Sequence, residues 1–154
     1  MATGLKTKLY KGTGTSLDNA VFTAEDAIAN LTSIGEQKST VDEVETTDLD
    51  CVDGYKTFEA GMSDNGSIAI AGNITAENYA KLKALTVRNE NGDYPVAPFA
   101  IYHPTVEDIN GKFMAWLSDC GRGELTPGGL VTFSATLRIS GKIADFSGVS
   151  TSEY

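Results

Sequence analysis

Long hydrophobic runs are missing from this 154-residue chain, and no stretch approaches the roughly twenty apolar residues of a membrane-spanning helix. The opening MATGLKTKLYKGTG also lacks the apolar segment of a signal peptide, so synthesis and assembly in a cytoplasm are expected. Basic residues are scarce: twelve Lys and Arg stand against twenty-one Asp and Glu, a formal net charge of −9. That balance excludes a surface that grips nucleic acid through its phosphates, which needs clustered Lys and Arg. It does not exclude a protein that lies close to DNA without holding it. Cysteines number two, Cys51 and Cys120, and in a reducing compartment they are read as free thiols rather than a disulfide. With one distant histidine, His103, they make a poor zinc site. His103 itself, next to Pro104, has no assignable nucleophile or orienting partner and is expected as an exposed loop residue. No catalytic set remains, so neither an enzyme nor a cofactor is expected.

What the chain does have is a globular composition, 41% hydrophobic and 21% charged, at a length that suits one domain spanning residues 1–154. Strands are expected over Leu5 to Tyr10, Ala27 to Ile34, Ser39 to Thr47, Ser67 to Ala71, Tyr94 to Tyr102, Lys112 to Asp119 and Leu130 to Ile139. The last is the clearest, because Val131, Phe133, Ala135, Leu137 and Ile139 alternate with polar partners. One helix is expected after Thr75, a suitable N-cap, with Glu77 near its positive end and Tyr79, Leu82 and Leu85 on one face. Asn91-Gly92 closes that segment. The sum is a mostly β domain, an antiparallel sandwich or barrel with one flanking helix.

Several motifs tempt and fail on spacing. Asp48-Leu49-Asp50-Cys51-Val52-Asp53-Gly54 resembles a calcium loop, but the third ligand and the glycine arrive one residue late. It reads as a solvated acidic loop. Gly12-Thr13-Gly14-Thr15-Ser16 lacks the Gly-Lys-Ser/Thr ending of a phosphate loop and reads as a turn. Three Asn-X-Ser/Thr sequons have no secretory route to give them meaning. Trp116 is expected as a core or interface residue.

The stretch TTDLDCVDGYKTFEAGMSDNG, residues 46 to 66, is the anomaly. It has neither helical periodicity nor a central Asn-Gly turn, and a structureless connection of that length is unusual in a compact domain. Such a loop is expected to be ordered by a partner.

The order of features resembles the major tail tube proteins of long-tailed, non-contractile bacteriophages. KLYKGTGTS resembles that family's first strand and turn, and LTSIGEQKSTVDEVETTDLD its strand and glycine turn before an acidic strand. GYKTFEAGMSDNGSIAIAGN resembles the loop end and following strand. GKFMAWLSDCGRGELTPGGLVTFSATLRISGKI resembles the closing hairpin. The likeness covers roughly Leu5 to Ile143, and the immunoglobulin-like C-terminal domain of some members is not expected here.

The resemblance implies a virion tail component with no catalytic residues. Subunits form six-fold rings that stack into a tube, and genome DNA crosses the lumen unbound. Tail-tip initiator, tape measure and terminator proteins are the implied partners, and no membrane is involved. The neighbouring ring would order the long loop through Val52, Tyr55, Phe58 and Met62. Acidic residues on the lumen would repel DNA over about a Debye length, roughly 8 Å at physiological salt. On the strand from 39 to 47, Glu43 and Glu45 share a face opposite Asp42. Two like charges cost more to bury than one, so the glutamate face is expected toward the lumen. The alternatives are a tube subunit of a related tail-like particle and a monomeric β-sandwich binding module.

Overall fold

Alternation of apolar and polar residues sets a six-stranded antiparallel sheet, which a computed structural model shows curled into a half-barrel. The structure describes residues 3–147 except 5, 48, 51, 52 and 89. The expectations for Val52 and Cys51 therefore lie outside the described residues. The strands are β1 (Lys8–Lys11), β2 (Leu31–Ile34), β3 (Thr40–Glu45), β4 (Phe58–Asp64), β5 (Ser67–Asn73), β6 (Ala97–Tyr102), β7 (Gly111–Arg122) and β8 (Thr132–Asp145). Helix α1 (Ala76–Lys83) lies between β5 and β6. The curled sheet runs in the order β1-β6-β7-β8-β5-β2, and β3 and β4 form a separate two-stranded ribbon.

The core lies on one face of the curled sheet. Ile68 and Ile70, Phe113, Ala115 and Leu117, and Phe133, Ala135, Leu137 and Ile139 all point into it at every second position. Phe99 stacks on Phe113 with ring centroids 6.3 Å apart, and α1 seals the layer with Leu82 and Leu85. Val131, expected with the β8 set, precedes the strand and is exposed. The far face of β1 and β6 is closed by a smaller cluster of Tyr10, Phe22, Ala100 and Phe146. Over β5, β8 and β7 that face stays open, with short polar side chains such as Ser67, Ser118 and Ser134 exposed.

Helix α1 starts where the sequence expects. Thr75 Oγ1 accepts the Asn78 N–H at 3.2 Å, and Asn78 Oδ1 accepts the Thr75 N–H at 2.8 Å, a reciprocal cap. The helix is shorter than expected, passing at Ala84 into a 3-10 turn that ends at Thr86. Strand bounds also shift by a few residues: β2 starts at Leu31, and β7 and β8 run on to Arg122 and Asp145.

Two expectations are overturned. His103 is 4% exposed, not a surface loop residue. Its Nδ1 accepts the N–H groups of Thr105 at 3.2 Å and Val106 at 3.0 Å. That fixes the proton on Nε2, which donates to the Thr3 carbonyl at 2.6 Å. The ring thus ties the N-terminal segment to the turn after β6, and burial is tolerated because both nitrogens are satisfied. The second correction concerns residues 46 to 66, which are not one loop. Phe58–Asp64 is a strand paired antiparallel with Thr40–Glu45. The strand was hidden because neither of its faces is buried, and an exposed ribbon carries no alternating apolar pattern.

Candidate assembly surface

The ribbon continues the hairpin made by β2 and β5. Ile34 faces Ile70 in the sheet and Thr40 faces Asp64 in the ribbon, six residues further along each strand, so the register is kept across the break. The break is held by polar groups. Gln37 Nε2 donates to the Asn65 carbonyl at 2.8 Å, and Ser39 Oγ to Asn65 Oδ1 at 2.6 Å. Asn65 Nδ2 in turn reaches the Gly141 carbonyl at 2.7 Å. Gly66 turns the chain into β5 with a φ of 76°, a backbone that favours glycine. Across the base, Arg138 Nη2 on β8 donates to Asp64 Oδ2 at 2.8 Å. That guanidinium, with the Gly66 N–H, holds the Asp64 carboxyl below the usual carboxylate range.

Beyond the break every residue of β3 and β4 is exposed. Phe58 is 55%, Tyr55 73% and Met62 84% exposed. A two-stranded hairpin with no packed face is marginally stable in water. The ribbon is also where the charge sits. Residues 40–64 hold eight of the acidic side chains and one lysine, Lys56, leaving thirteen acidic against eleven basic residues elsewhere. Nearly all of the net negative charge is therefore on this one projecting element.

The structure sorts the candidate residues by face. Val41 pairs with Ser63, whereas Glu43 pairs with Ala60 and Glu45 with Phe58, so β4 carries one extra residue opposite Asp42. This bulge falls at Gly61 and Met62. Phe58 is thereby placed beside Glu43 and Glu45, and Met62 on the other face near Asp42 and Val44. Tyr55 lies in the tip, its N–H donating to Asp53 Oδ1 at 3.2 Å. Among the described stacking candidates, Phe58 and Met62 lie on opposite faces and do not share one patch. The charge comparison that favoured the glutamate face also changes, because β4 adds Glu59 and Asp64 to the Asp42 side.

Residues that sequence reasoning missed hold the break: Gln37, Asn65 and Arg138. Isolated amides carry no periodic signal, and only the Asn65-Gly66 pair marked a turn. A second feature, missed in the same way, lies on the open side of the sheet. Trp116 is not in the core; its side chain is half-buried on the opposite face of β7 from Ala115 and Leu117. Tyr94 meets it edge-on at 6.0 Å, and the Arg88 guanidinium lies 5.4 Å from the Tyr94 ring centroid.

Comparison with known proteins gives a fold and no closer relationship. No family model matches the sequence, and no curated protein matches it. Among solved structures, the chain is similar to one in the tail of an empty gene transfer agent particle, solved with C6 symmetry. The TM-score is 0.66 at 15% identity, covering 96% of this chain and 100% of that one. It is similar to a chain in the sheath/tube terminator of an extracellular contractile injection system, TM-score 0.66 at 10% identity, covering 93% and 94%. A chain in the anti-feeding prophage baseplate gives TM-score 0.60 at 12% identity, covering 94% and 96%. The fold is that of chains built into phage-tail-like particles.

Proposed function

We propose that this chain is a structural tube subunit of a long-tailed, non-contractile phage tail. Copies close into six-fold rings, the rings stack, and genome DNA passes through the lumen during delivery. The reading rests on one observation above the others: an acidic ribbon whose β3 and β4 residues are all exposed, tied to the curled sheet at its base by Asp64 and Arg138. A second copy supplies what that ribbon lacks. The likeness to chains of tails and tube complexes supports the reading through the fold.

Stacking uses the ribbon's outer end, with Tyr55 and Phe58 as anchors, Val52 beside them in sequence, and Met62 contacting from the reverse face. Glu43 and Glu45 are kept as the proposed lumen residues, no longer on a charge count, since Asp42, Glu59 and Asp64 share the other face. Among the described residues neither glutamate has a cation partner, so their charge would act at a distance on passing DNA. A tail-tip initiator, a tape measure protein and a terminator are the partners such a tube requires. Assembly takes place in the host cytoplasm, and the finished protein resides in the virion tail.

Electron microscopy of the concentrated protein, alone and with its tail-tip partner, tests the reading. Rings or tubes are the expected result. A protein that stays monomeric by light scattering in every condition, partner included, overturns it in favour of a monomeric binding module. Tubes that recruit a contractile sheath would move the chain to a contractile particle.

A further inference from the structure

We infer that the ribbon tip of a second copy docks in the cleft formed by Arg88, Tyr94, Val96, Trp116 and Ser118. The inference rests on the assembly reading above and assigns the receiving site that reading leaves open. The cleft has a volume of about 450 Å³ and lies at the start of β6 beside the middle of β7. Its chemistry complements the ribbon in two respects.

The first is charge. The ribbon carries eight acidic residues against Lys56, while the rest of the chain is close to neutral. In the cleft, Arg88 donates to the Gly92 carbonyl at 3.0 Å and has no carboxylate partner among the described residues. Its guanidinium keeps further donors for an incoming carboxylate. The larger groove of the molecule, between β2 and the turn after β6, is the weaker receiver. It is lined by Asp108 and Asp145 against Lys6, so it repels an acidic ribbon.

The second is shape and polarity. Tyr94 and Trp116 meet edge-on and leave half-buried aromatic surface, and Val96 is 45% exposed beside them. The ribbon offers exposed Tyr55 and Phe58. Arginine, tyrosine and tryptophan around a cleft are the groups that anchor protein interfaces, because they bury large area with few rotatable bonds and retain polar tips. An aromatic ring entering this cleft joins an existing edge-to-face pair and lies within reach of the Arg88 cation.

Trp116 is the chain's single tryptophan, so its fluorescence reports on the cleft directly. Emission and acrylamide quenching are measured on the free subunit and on assembled tubes. Docking moves the emission to shorter wavelength and reduces quenching in tubes. Arg88→Glu lowers the assembled fraction by roughly tenfold or more, with Arg88→Lys losing less. A cross-link identifies the occupant. In a Cys51→Ser, Cys120→Ser background, Lys56→Cys subunits, which keep the Tyr55 and Phe58 rings, are mixed with Ser118→Cys subunits and treated with a short bismaleimide. A mixed dimer in assembled samples alone supports docking. Tubes in which Trp116 stays as accessible as in the free subunit overturn the inference and leave the tube reading standing. So do tubes that yield no mixed dimer. Absence of any assembly of the wild-type chain overturns both.

Discussion

Asp64 and Arg138 join the base of the ribbon to the curled sheet, carboxylate to guanidinium at 2.8 Å, at the point where β4 passes into β5. Both side chains are well exposed, so the pair adds little to global stability. Its effect is on the direction of the ribbon. The folded Asp64 carboxyl is depressed, so the contribution of the pair is complete above the usual carboxylate range. It is lost as pH falls through the lowered folded value. Amide protection factors in residues 58–66, corrected for the intrinsic pH dependence of exchange, are expected to fall as the solution is acidified through that range, while the melting temperature barely follows this pair. Arg138→Ala should give the same faster exchange at neutral pH. Unchanged exchange in Arg138→Ala would show that the pair does not hold the ribbon.

Core and ribbon aromatics should separate cleanly in mutagenesis. Phe99 is fully buried against Phe113, and Phe99→Ala is expected to cost about 3–5 kcal/mol in denaturant unfolding. Tyr55→Ala with Phe58→Ala truncates two mostly exposed side chains and should stay within roughly 0.5 kcal/mol of wild type. Tubes should nevertheless fail to form from that double variant. A large, cooperative loss of stability in it would place these rings in a core.

The sheet was legible because burial writes itself into β5, β7 and β8 as strict alternation: Ile68 and Ile70, Ala115 and Leu117, Phe133 through Ile139. The helix cap at Thr75 was legible from a local rule. The ribbon was only half legible. Its anomaly was visible as an overlong connection, but β4 has no buried face, and a bulge at Gly61 and Met62 breaks the count that would have sorted its residues. His103 was misread because its burial depends on Thr3, a hundred residues earlier, and on two backbone amides no sequence pattern announces. For Trp116 the strand period gives opposite faces without saying which one is covered, so core and interface both stood as expectations; the structure removes the core.

Asn78 is expected to matter more than its place on a short helix implies. It is 1% exposed, and its Nδ2 donates to the carbonyls of Ala29 at 2.7 Å and Asn73 at 2.9 Å while Oδ1 caps Thr75. Asn78→Leu strands these backbone groups, at about 1–3 kcal/mol for each left unsatisfied. Thr75→Ala should cost only about 1 kcal/mol. If the two variants melt alike, water replaces the Asn78 contacts and they are not structural.

Cys120 should be a slow thiol. It is half-buried and free, and burial raises its pKa, with the Asp119 carboxylate adding to the rise and Lys83 opposing it. Less thiolate is present at any given pH than in an unstructured peptide, so labelling by a maleimide should lag a model thiol. The rate should keep climbing into more alkaline solution than the model thiol requires. Labelling of native Cys120 as fast as the unfolded chain at pH 8 would contradict this. The comparison is best made in Cys51→Ser, so that one thiol is read.

The lumen assignment is open to a direct contrast between the two faces of the ribbon. Glu43 and Glu45 share one face with Phe58 and Ala60; Asp42 and Glu59 occupy the other. All four acids are exposed, so Lys at any of them should leave folding nearly unchanged. If the glutamate face lines the channel, Glu43→Lys with Glu45→Lys converts a repelling wall into one that holds phosphate, repeated in every subunit of every ring. Tubes still form, and DNA ejection from particles carrying the variant slows. The slowing grows as salt is lowered, because the Debye length lengthens from about 8 Å at physiological ionic strength to roughly 30 Å at 0.01 M. Asp42→Lys with Glu59→Lys serves as the opposite-face control and should eject at the wild-type rate. Glu43 is the more informative single site, since Glu45 lies beside Phe58 and shares its surroundings with the proposed stacking contact. Ejection that slows only in the Asp42 and Glu59 variant would reverse the face that looks inward. Wild-type kinetics at low ionic strength in both variants would remove the ribbon from the channel wall.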